Sequence, residues 1–353
     1  MGTYLIATDE AGYGPKLGPL MIAGSVWYLP NLDHADERLE QEFQVLRDPV
    51  VVDGIKFKVD DSKRIYQSGK GLDVIETMVG AGVRYCGVTT NRFMEVVKWL
   101  CPKDYDSVAS VPWLMSGNQD DAEEGRVSQM GDAGIKRVPA VGRSPQALTT
   151  GLGVFVRQRN VDPDREQGLM HHWFGDDLQL IGLGARVVTA GHFNDFCDRG
   201  YNKSDMLSRL TLGLVADLLE TVPDSEPVSI YCDRHGGRRY YAGVIQDRFS
   251  DELVKVSSET KEISCYELSG SRSIRLQFSV KGDRFPPVAY SSIVAKYLRE
   301  RFMERMNAYF LSRLPEGIKP TAGYPVDANR FLRDIERVRN AEEIPDRLLV
   351  RSR

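Results

Sequence analysis

The chain has 353 residues, 42% of them hydrophobic, and a net charge of −4. That is enough to bury a sizeable core in one large domain or two, and it excludes a disordered or fibrous chain. The slight acidity excludes a globally basic nucleic-acid binder, though a basic groove on an acidic body stays open because local charge decides phosphate binding. Five scattered cysteines (Cys86, Cys101, Cys197, Cys232 and Cys265) contain no CxxC pair, so neither a zinc knuckle nor a disulfide framework is expected and the thiols read as reduced. No basic segment followed by an apolar one opens the chain, Ile6 stands where a myristoylation signal needs Ser or Thr, and no apolar run reaches membrane-spanning length. A soluble cytoplasmic protein without a membrane is the expectation.

In chain order, the first element is an apolar run that meets two adjacent carboxylates and a glycine-punctuated turn, Tyr4-Leu-Ile-Ala-Thr-Asp9-Glu10-Ala-Gly12-Tyr13-Gly14-Pro15. A second apolar run, Leu20 to Trp27, then leads away. A strand, a tight turn and an antiparallel strand follow from this pattern. Neighbouring strand residues point to opposite faces, so only one of Asp9 and Glu10 faces the core side unless the chain bends there. Two readings are open for this stretch alone. One is a solvated acidic turn; the other is a site where carboxylates and backbone N–H groups hold a divalent metal beside a phosphate.

Asp33 to Val59 reads as a short helix and loop, Leu72 to Val79 as a helix closed by Gly80 and Gly82, and Val83 to Val88 as a strand. Phe93, Val96, Val97 and Leu100 fit a further helix behind Thr90 and Asn91. From Cys101 to about Gln179 the periodicity lapses, with an acidic stretch at Gln119–Gly125 and the pair His171-His172, which is expected on the surface. This segment reads as a partly flexible insertion with some structure near Gly153–Gln158. Pattern resumes with a strand at Ala185–Ala190, a periodic helix at Met206–Leu219, and a strand at Pro227–Cys232 ending on Asp233. Strands at Leu253–Val256 and Ile274–Val280 come next, then a long helix from Ala289 to about Leu314 and a tail helix from about Asp327 to Val338. Either Val83–Val88 or Ala185–Ala190 supplies the third strand of the central sheet, and the helix after the latter favours it. Strands first and then strands alternating with helices indicate an α/β domain with a mixed sheet. The expected organisation is one catalytic domain over residues 1–353, with an insertion at about 101–179 and a helical tail at about 315–353.

Asp9-Glu10, Asp233 and Glu300 recur at the edges of apolar elements. Each alone reads more readily as a solvated terminus, and Glu300, surrounded by Arg299, Arg301, Glu304 and Arg305, more readily as an exposed helix carboxylate than as a ligand. Four carboxylates meeting in space repel unless cations sit between them, and paired metal ions in such sites activate water for phosphodiester hydrolysis.

Asp9-Glu10-Ala11-Gly12-Tyr13-Gly14-Pro15 with Gly18-Pro19 resembles the opening motif of the type 2 ribonucleases H, the ribonuclease HII and HIII group. Asp61-Ser62-Lys63-Arg64 is similar to that family's Asp-Ser-Lys-Lys segment, and Cys232-Asp233 sits where its third acid ends a strand. Val280-Lys281-Gly282-Asp283, Ser291 to Lys296, Arg299-Glu300-Arg301 and the Gly323-Tyr324-Pro325 turn follow in the family's order. The resemblance implies a ribonuclease H-like fold, a mixed sheet of about five strands flanked by helices, interrupted by the large insertion.

It further implies a metal-dependent endonuclease that cuts the RNA strand of RNA–DNA hybrids, or RNA-containing duplex DNA, leaving 3′-hydroxyl and 5′-phosphate ends. Asp9, Glu10, Asp233 and Glu300 would be the catalytic residues and would hold two Mg²⁺ or Mn²⁺ ions. Gly12, Tyr13 and Gly14 would face the ribose 2′-hydroxyl, Lys63 and Lys281 would contact phosphates, and Tyr324 would pack on a sugar.

The chain departs from the family in three places. Tyr13 stands where ribonuclease HII has Arg in its Gly-Arg-Gly turn, an arginine associated with single embedded ribonucleotides. Glu300 stands where ribonuclease HII has Asp, giving an acid set like that of ribonuclease HIII, while the motif begins at residue 9, so the N-terminal substrate-binding domain typical of HIII is not expected. Arg234-His235-Gly236-Gly237 is also unusual, with His235 either a hydrogen-bonded turn histidine or a phosphate contact. Two other readings keep the fold: a non-catalytic hybrid-binding protein, and a nuclease for branched or structured DNA.

Overall fold

The computed structural model describes residues 2–32, 38–66, 71–115, 162–314 and 316–352. Seven strands form one sheet: β1 (Thr3–Ala11), β2 (Leu20–Leu29), β3 (Gln179–Val188), β4 (Val228–Asp233), β5 (Leu253–Glu259), β6 (Ile263–Ser269) and β7 (Ser273–Ser279), in the order β3-β2-β1-β4-β7-β6-β5. The helices used below are α1 (Asp73–Tyr85), α2 (Phe93–Leu100), α3 (Pro163–Trp173), α4 (Ala190–Asp198), α5 (Lys203–Leu219), α6 (Ala242–Arg248), α7 (Pro286–Leu311) and α8 (Pro325–Asp334).

The mixed central sheet is the one expected, widened to seven strands. β1, β2 and β3 form an antiparallel meander, β4 and β7 run parallel to β1, and β6 and β5 return antiparallel at the far edge. β6 escaped the sequence reading because its alternation, Ile263-Ser-Cys-Tyr-Glu-Leu-Ser269, mixes small polar residues into a half-buried strand. β1 is apolar on both faces, with Leu5, Ile6 and Ala7 fully buried, because helices cover both sides of it.

On one face lies α7, whose 26 residues are buried over most of their circumference. It runs between the sheet and α1, and its start is set by Pro286-Pro287, which fill the first helical positions where no N–H partner is needed. Ser291 stitches it to the sheet: its Oγ donates to the carbonyl of Ala7 at 2.9 Å and lies 2.9 Å from Ser25 Oγ. On the other face α5 packs on β1, β2 and β3, and α6 packs on β5.

Two expectations are corrected here. Val83–Val88 is not a strand: Val83, Arg84 and Tyr85 finish α1, and β3 is the third strand. Gly80 and Gly82 do not close that helix but lie inside it. A Cβ at Gly82 would stand 2.0 Å from the Tyr290 hydroxyl, which donates to the Met78 carbonyl at 3.0 Å, so the glycine marks close helix–helix approach instead of a stop. The tail helix is also broken, into α8 and a short helix at Glu336–Ala341.

Of the 101–179 segment, residues 116–161 lie outside the described residues, including the expected structure near Gly153–Gln158. The described flanks are core: Cys101, Val108, Trp113, Leu114, Leu169 and Trp173 are buried. Val108, Trp113 and Leu114 come from helices of five and four residues, too short to show a period. His171 and His172 are exposed at the end of α3. No helix among the described residues is long and apolar enough to cross a membrane.

Candidate active site

The parallel register of β1 and β4 places the site. Thr8 pairs with Cys232 as the last rung of that ladder. The next pair across the strands is therefore Asp9 and Asp233, at the carboxyl ends of two adjacent parallel strands, where open α/β sheets hold their ligands. Glu10 joins them although it is the strand neighbour of Asp9. Oxygen atoms of Asp9, Glu10 and Asp233 all lie within 4.8 Å of one another. Asp9 is tied to that neighbour, its Oδ1 accepting from the Glu10 amide at 2.7 Å.

Three carboxylates this close cannot all stay ionised without compensation. Burial, then the charges of Glu10 and Asp233, push the Asp9 carboxyl well above the usual range, while hydrogen bonds from the Ser292 side chain and the Glu10 amide pull the other way. Glu10 is pushed up to about 8 by burial and by Asp233, with Lys63 opposing. Asp233 is raised chiefly by burial, with the Gly282 and Arg234 amides and Lys63 opposing and Asp283 adding to the rise. Three oxygen donors carrying uncompensated negative charge are the donor set of a hard divalent cation. The residues present fit such an ion.

Above the carboxylates is a cleft of about 450 Å³. Its walls bring together most of the residues singled out in the sequence: Gly12, Tyr13, Gly14, Lys63, Lys281 and Tyr324 beside the three acids. Gly12 adopts φ +89°, a left-handed conformation that favours glycine, and a Cβ there would stand 2.6 Å from Arg299 Nε and 2.9 Å from the Pro19 carbonyl. Lys63 sits in a single helical turn, Ser62–Ile65, capped by Asp61, which accepts from the Lys63 amide at 2.9 Å. Lys281 takes the left-handed conformation (φ 57°) just before Gly282. Tyr324 is half exposed and stands at the position just before the first turn of α8.

Glu300 stands apart. Among the described residues it is not in the three-carboxylate group. It lies eight residues after Ser292 on α7, and its oxygens accept from Lys296 Nζ at 2.7 Å, Arg299 Nη1 at 2.9 Å and the Tyr66 hydroxyl at 3.2 Å. Lys296 and Arg299 themselves line the cleft.

Sequence reasoning did not single out Ser292, Lys296, Arg299, Asp61 or Asp283 as site residues, yet all five line the cleft. Ser292, Lys296 and Glu300 recur every four residues along α7, a stripe readable from the Ser291–Lys296 motif had the helix been given a face.

The unusual turn after Asp233 is structural. His235 is buried, its Nδ1 lies 3.0 Å from Ser208 Oγ, and its amide donates to the Tyr241 hydroxyl at 3.1 Å. Burial, then Arg238, holds its imidazole down at about 3, so it stays neutral. Among the described residues it makes no part of the cleft wall. Tyr13 rests on the same turn, its hydroxyl 3.1 Å from where a Cβ of Gly236 would stand.

No protein-family model and no curated protein matches the chain. Solved structures do. Ribonuclease HII of Archaeoglobus fulgidus, in its complex with PCNA, aligns over 99% of this chain and 94% of its own at 14% identity and a TM-score of 0.39. Ribonuclease H2 of Pyrococcus horikoshii OT3 aligns over 98% and 92% at 12% identity and 0.40. Bst-RNase HIII with Mn²⁺ aligns over 99% of this chain and 66% of its own at 13% identity and 0.39, so the chain spans about two thirds of that protein. These structures of ribonucleases HII, H2 and HIII are what the chain is similar to over nearly its whole length.

Proposed function

We propose that the chain is a metal-dependent endonuclease that hydrolyses the RNA strand of RNA–DNA hybrids, leaving 3′-hydroxyl and 5′-phosphate ends. The observation that carries this reading is the convergence of Asp9, Glu10 and Asp233 within 4.8 Å on the floor of a cleft rimmed by lysines and a glycine turn. Asp9, Glu10 and Asp233 would hold Mg²⁺ or Mn²⁺. Such ions, when bound, activate the attacking water and stabilise the leaving oxygen.

The chain's own residues supply binding and orientation. Lys63 and Lys281 face the duplex as phosphate contacts, which position it without reading its sequence. Ser292 hydrogen-bonds the Asp9 carboxyl and orients it, and the Gly282 amide does the same for Asp233 at 2.7 Å. Backbone groups of Gly12, Tyr13 and Gly14 are the candidates for the ribose 2′-hydroxyl, the group that distinguishes RNA from DNA. Tyr324 offers an exposed ring to a sugar. Glu300 is proposed as the fourth acid; its place on α7 beside Lys296 and Arg299 supports that role, and recruiting it requires exchange of those partners.

A second reading, a hybrid-binding protein without cleavage, is favoured by one feature: Glu300 is already engaged by three donors. The deciding experiment offers labelled RNA–DNA hybrid, duplex DNA with one ribonucleotide, plain duplex DNA and a four-way junction with Mg²⁺ or Mn²⁺. Cleavage of the hybrid's RNA strand that is lost in Asp9→Asn and Asp233→Asn supports the proposal. Hybrid binding without cleavage establishes the second reading, and cleavage of the junction alone overturns both.

A further inference from the structure

The glycine turn is held from behind by the chain's C-terminal segment. Arg351 is buried, with its guanidinium 5.3 Å from the Phe193 ring. Its Nη1 donates to the Gly12 carbonyl at 2.7 Å, its Nη2 donates to the Pro15 carbonyl, and its backbone amide donates to the Lys16 carbonyl at 3.0 Å. The segment carrying it is tied down in turn by α4. Asn194 Nδ2 donates to the carbonyls of Arg347 and Val350, both at 2.8 Å, and Asn194 Oδ1 accepts from the amide and hydroxyl of Ser352 at 2.6 and 2.8 Å. Arg347 pairs with Asp195 and Asp198, each at 2.8 Å. On the opposite side the turn is pinned by Gly323, whose carbonyl accepts from Lys16 and Leu17 at 2.7 and 3.1 Å.

The direction of these bonds matters. In a trans peptide the C=O and the following N–H point opposite ways. Arg351 is not part of the cleft wall, whereas Gly12 and Tyr13 are. Pulling the Gly12 carbonyl back toward a buried guanidinium therefore turns the Tyr13 N–H forward, toward the cleft. That amide has no backbone partner among the described residues. A donor so placed suits a hydroxyl or other oxygen acceptor on a ligand bound over the carboxylates.

We propose that Arg351 is a positioning residue that sets the Gly12–Tyr13 peptide so that the Tyr13 amide meets the ribose 2′-hydroxyl. This inference rests on the RNA–DNA hybrid reading above. Lysine cannot replace it, because one ammonium cannot span the two carbonyls that the planar fork reaches.

The test uses the full chain with Arg351→Gln and Arg351→Lys. Two quantities are measured: hydrogen–deuterium exchange across residues 10–17, and the ratio of cleavage rates on an RNA–DNA hybrid and the same hybrid with one 2′-deoxynucleotide at the cleavage position. Both variants are expected to exchange faster at 10–17 and to lose at least about tenfold in the ratio, with α7 exchange unchanged. Unchanged exchange at 10–17 overturns the inference whatever the activity. Faster exchange with an unchanged ratio also overturns it, because the contact is then structural only. A wild-type protein that cleaves no hybrid sinks the hybrid reading and the ligand assignment with it, while the exchange data still report whether Arg351 holds the turn.

Discussion

The Gly282 amide donates to Asp233 Oδ1 at 2.7 Å, and a Cβ at Gly282 would stand 3.0 Å from Asp233 Cα and 3.2 Å from that same oxygen. The loop after β7 therefore presses its backbone onto the third acid, and only a residue without a side chain allows the contact. Gly282→Ala is expected to displace the Asp233 carboxyl by a few tenths of an ångström. Overpacking of this kind costs about 1–3 kcal/mol, and hybrid cleavage should fall by more than about tenfold because misplaced catalytic groups are costly in rate. Thermal denaturation and single-turnover cleavage check both halves; a variant with wild-type rate refutes the role of the contact.

The three carboxylates make stability depend on pH in a definite direction. Each has a native pKa above its unfolded value, so the folded chain binds more protons than the unfolded one, and stability falls as pH rises. For Glu10 the loss begins near the ordinary value of 4.5 and is complete above about 8. Without divalent ions, the melting temperature should drop across that window. With saturating Mg²⁺ or Mn²⁺ the drop should shrink, because metal ions bind the deprotonated carboxylates. Melting curves at several pH values, with and without chelator, measure this.

Removing one acid should relieve the repulsion. Asp9→Asn is expected to melt at a higher temperature than wild type in chelator at pH 8 and to lose cleavage by more than about a hundredfold. Glu300→Gln should behave differently, since Glu300 is compensated by Lys296 and Arg299. It should gain no stability in chelator. If Glu300 is the fourth acid, its cleavage rate falls at least tenfold; an unchanged rate removes it from the site.

Lys63 and Lys281 are expected to act on affinity without regard to sequence. Replacing either with Ala should weaken hybrid binding and reduce the slope of log affinity against log salt by roughly one. Fluorescence anisotropy over a salt series reads the slope directly. A variant with weaker binding but an unaltered slope would place that lysine off the phosphates.

Tyr13 lies against the turn at Gly236 through its ring and hydroxyl. Tyr13→Phe keeps the ring and should retain cleavage within about threefold. Tyr13→Ala removes the ring that braces the glycine turn and should lose more than Tyr13→Phe on every ribonucleotide-containing substrate. Parallel rate measurements on the hybrid and the single-ribonucleotide duplex check this.

Much of this protein is legible in its sequence, because the signals are local. The apolar run into Asp9-Glu10, the strand ending on Asp233, and the Pro286-Pro287 start of α7 each state their element within a few residues. Ordered motifs then carry the resemblance to the type 2 ribonucleases H. Tertiary structure decided what depends on register and approach. The β1–β4 pairing placed Asp9 beside Asp233, and the strand neighbour Glu10 lies within 4.8 Å of both. The same tertiary packing turned Gly80 and Gly82 from a stop into a helix interior and left Glu300 paired away from the other acids. It also brought Arg351 to Gly12 across 339 residues of chain. A one-dimensional pattern records which faces are apolar; it does not record which two faces will meet, and the site is made where they do.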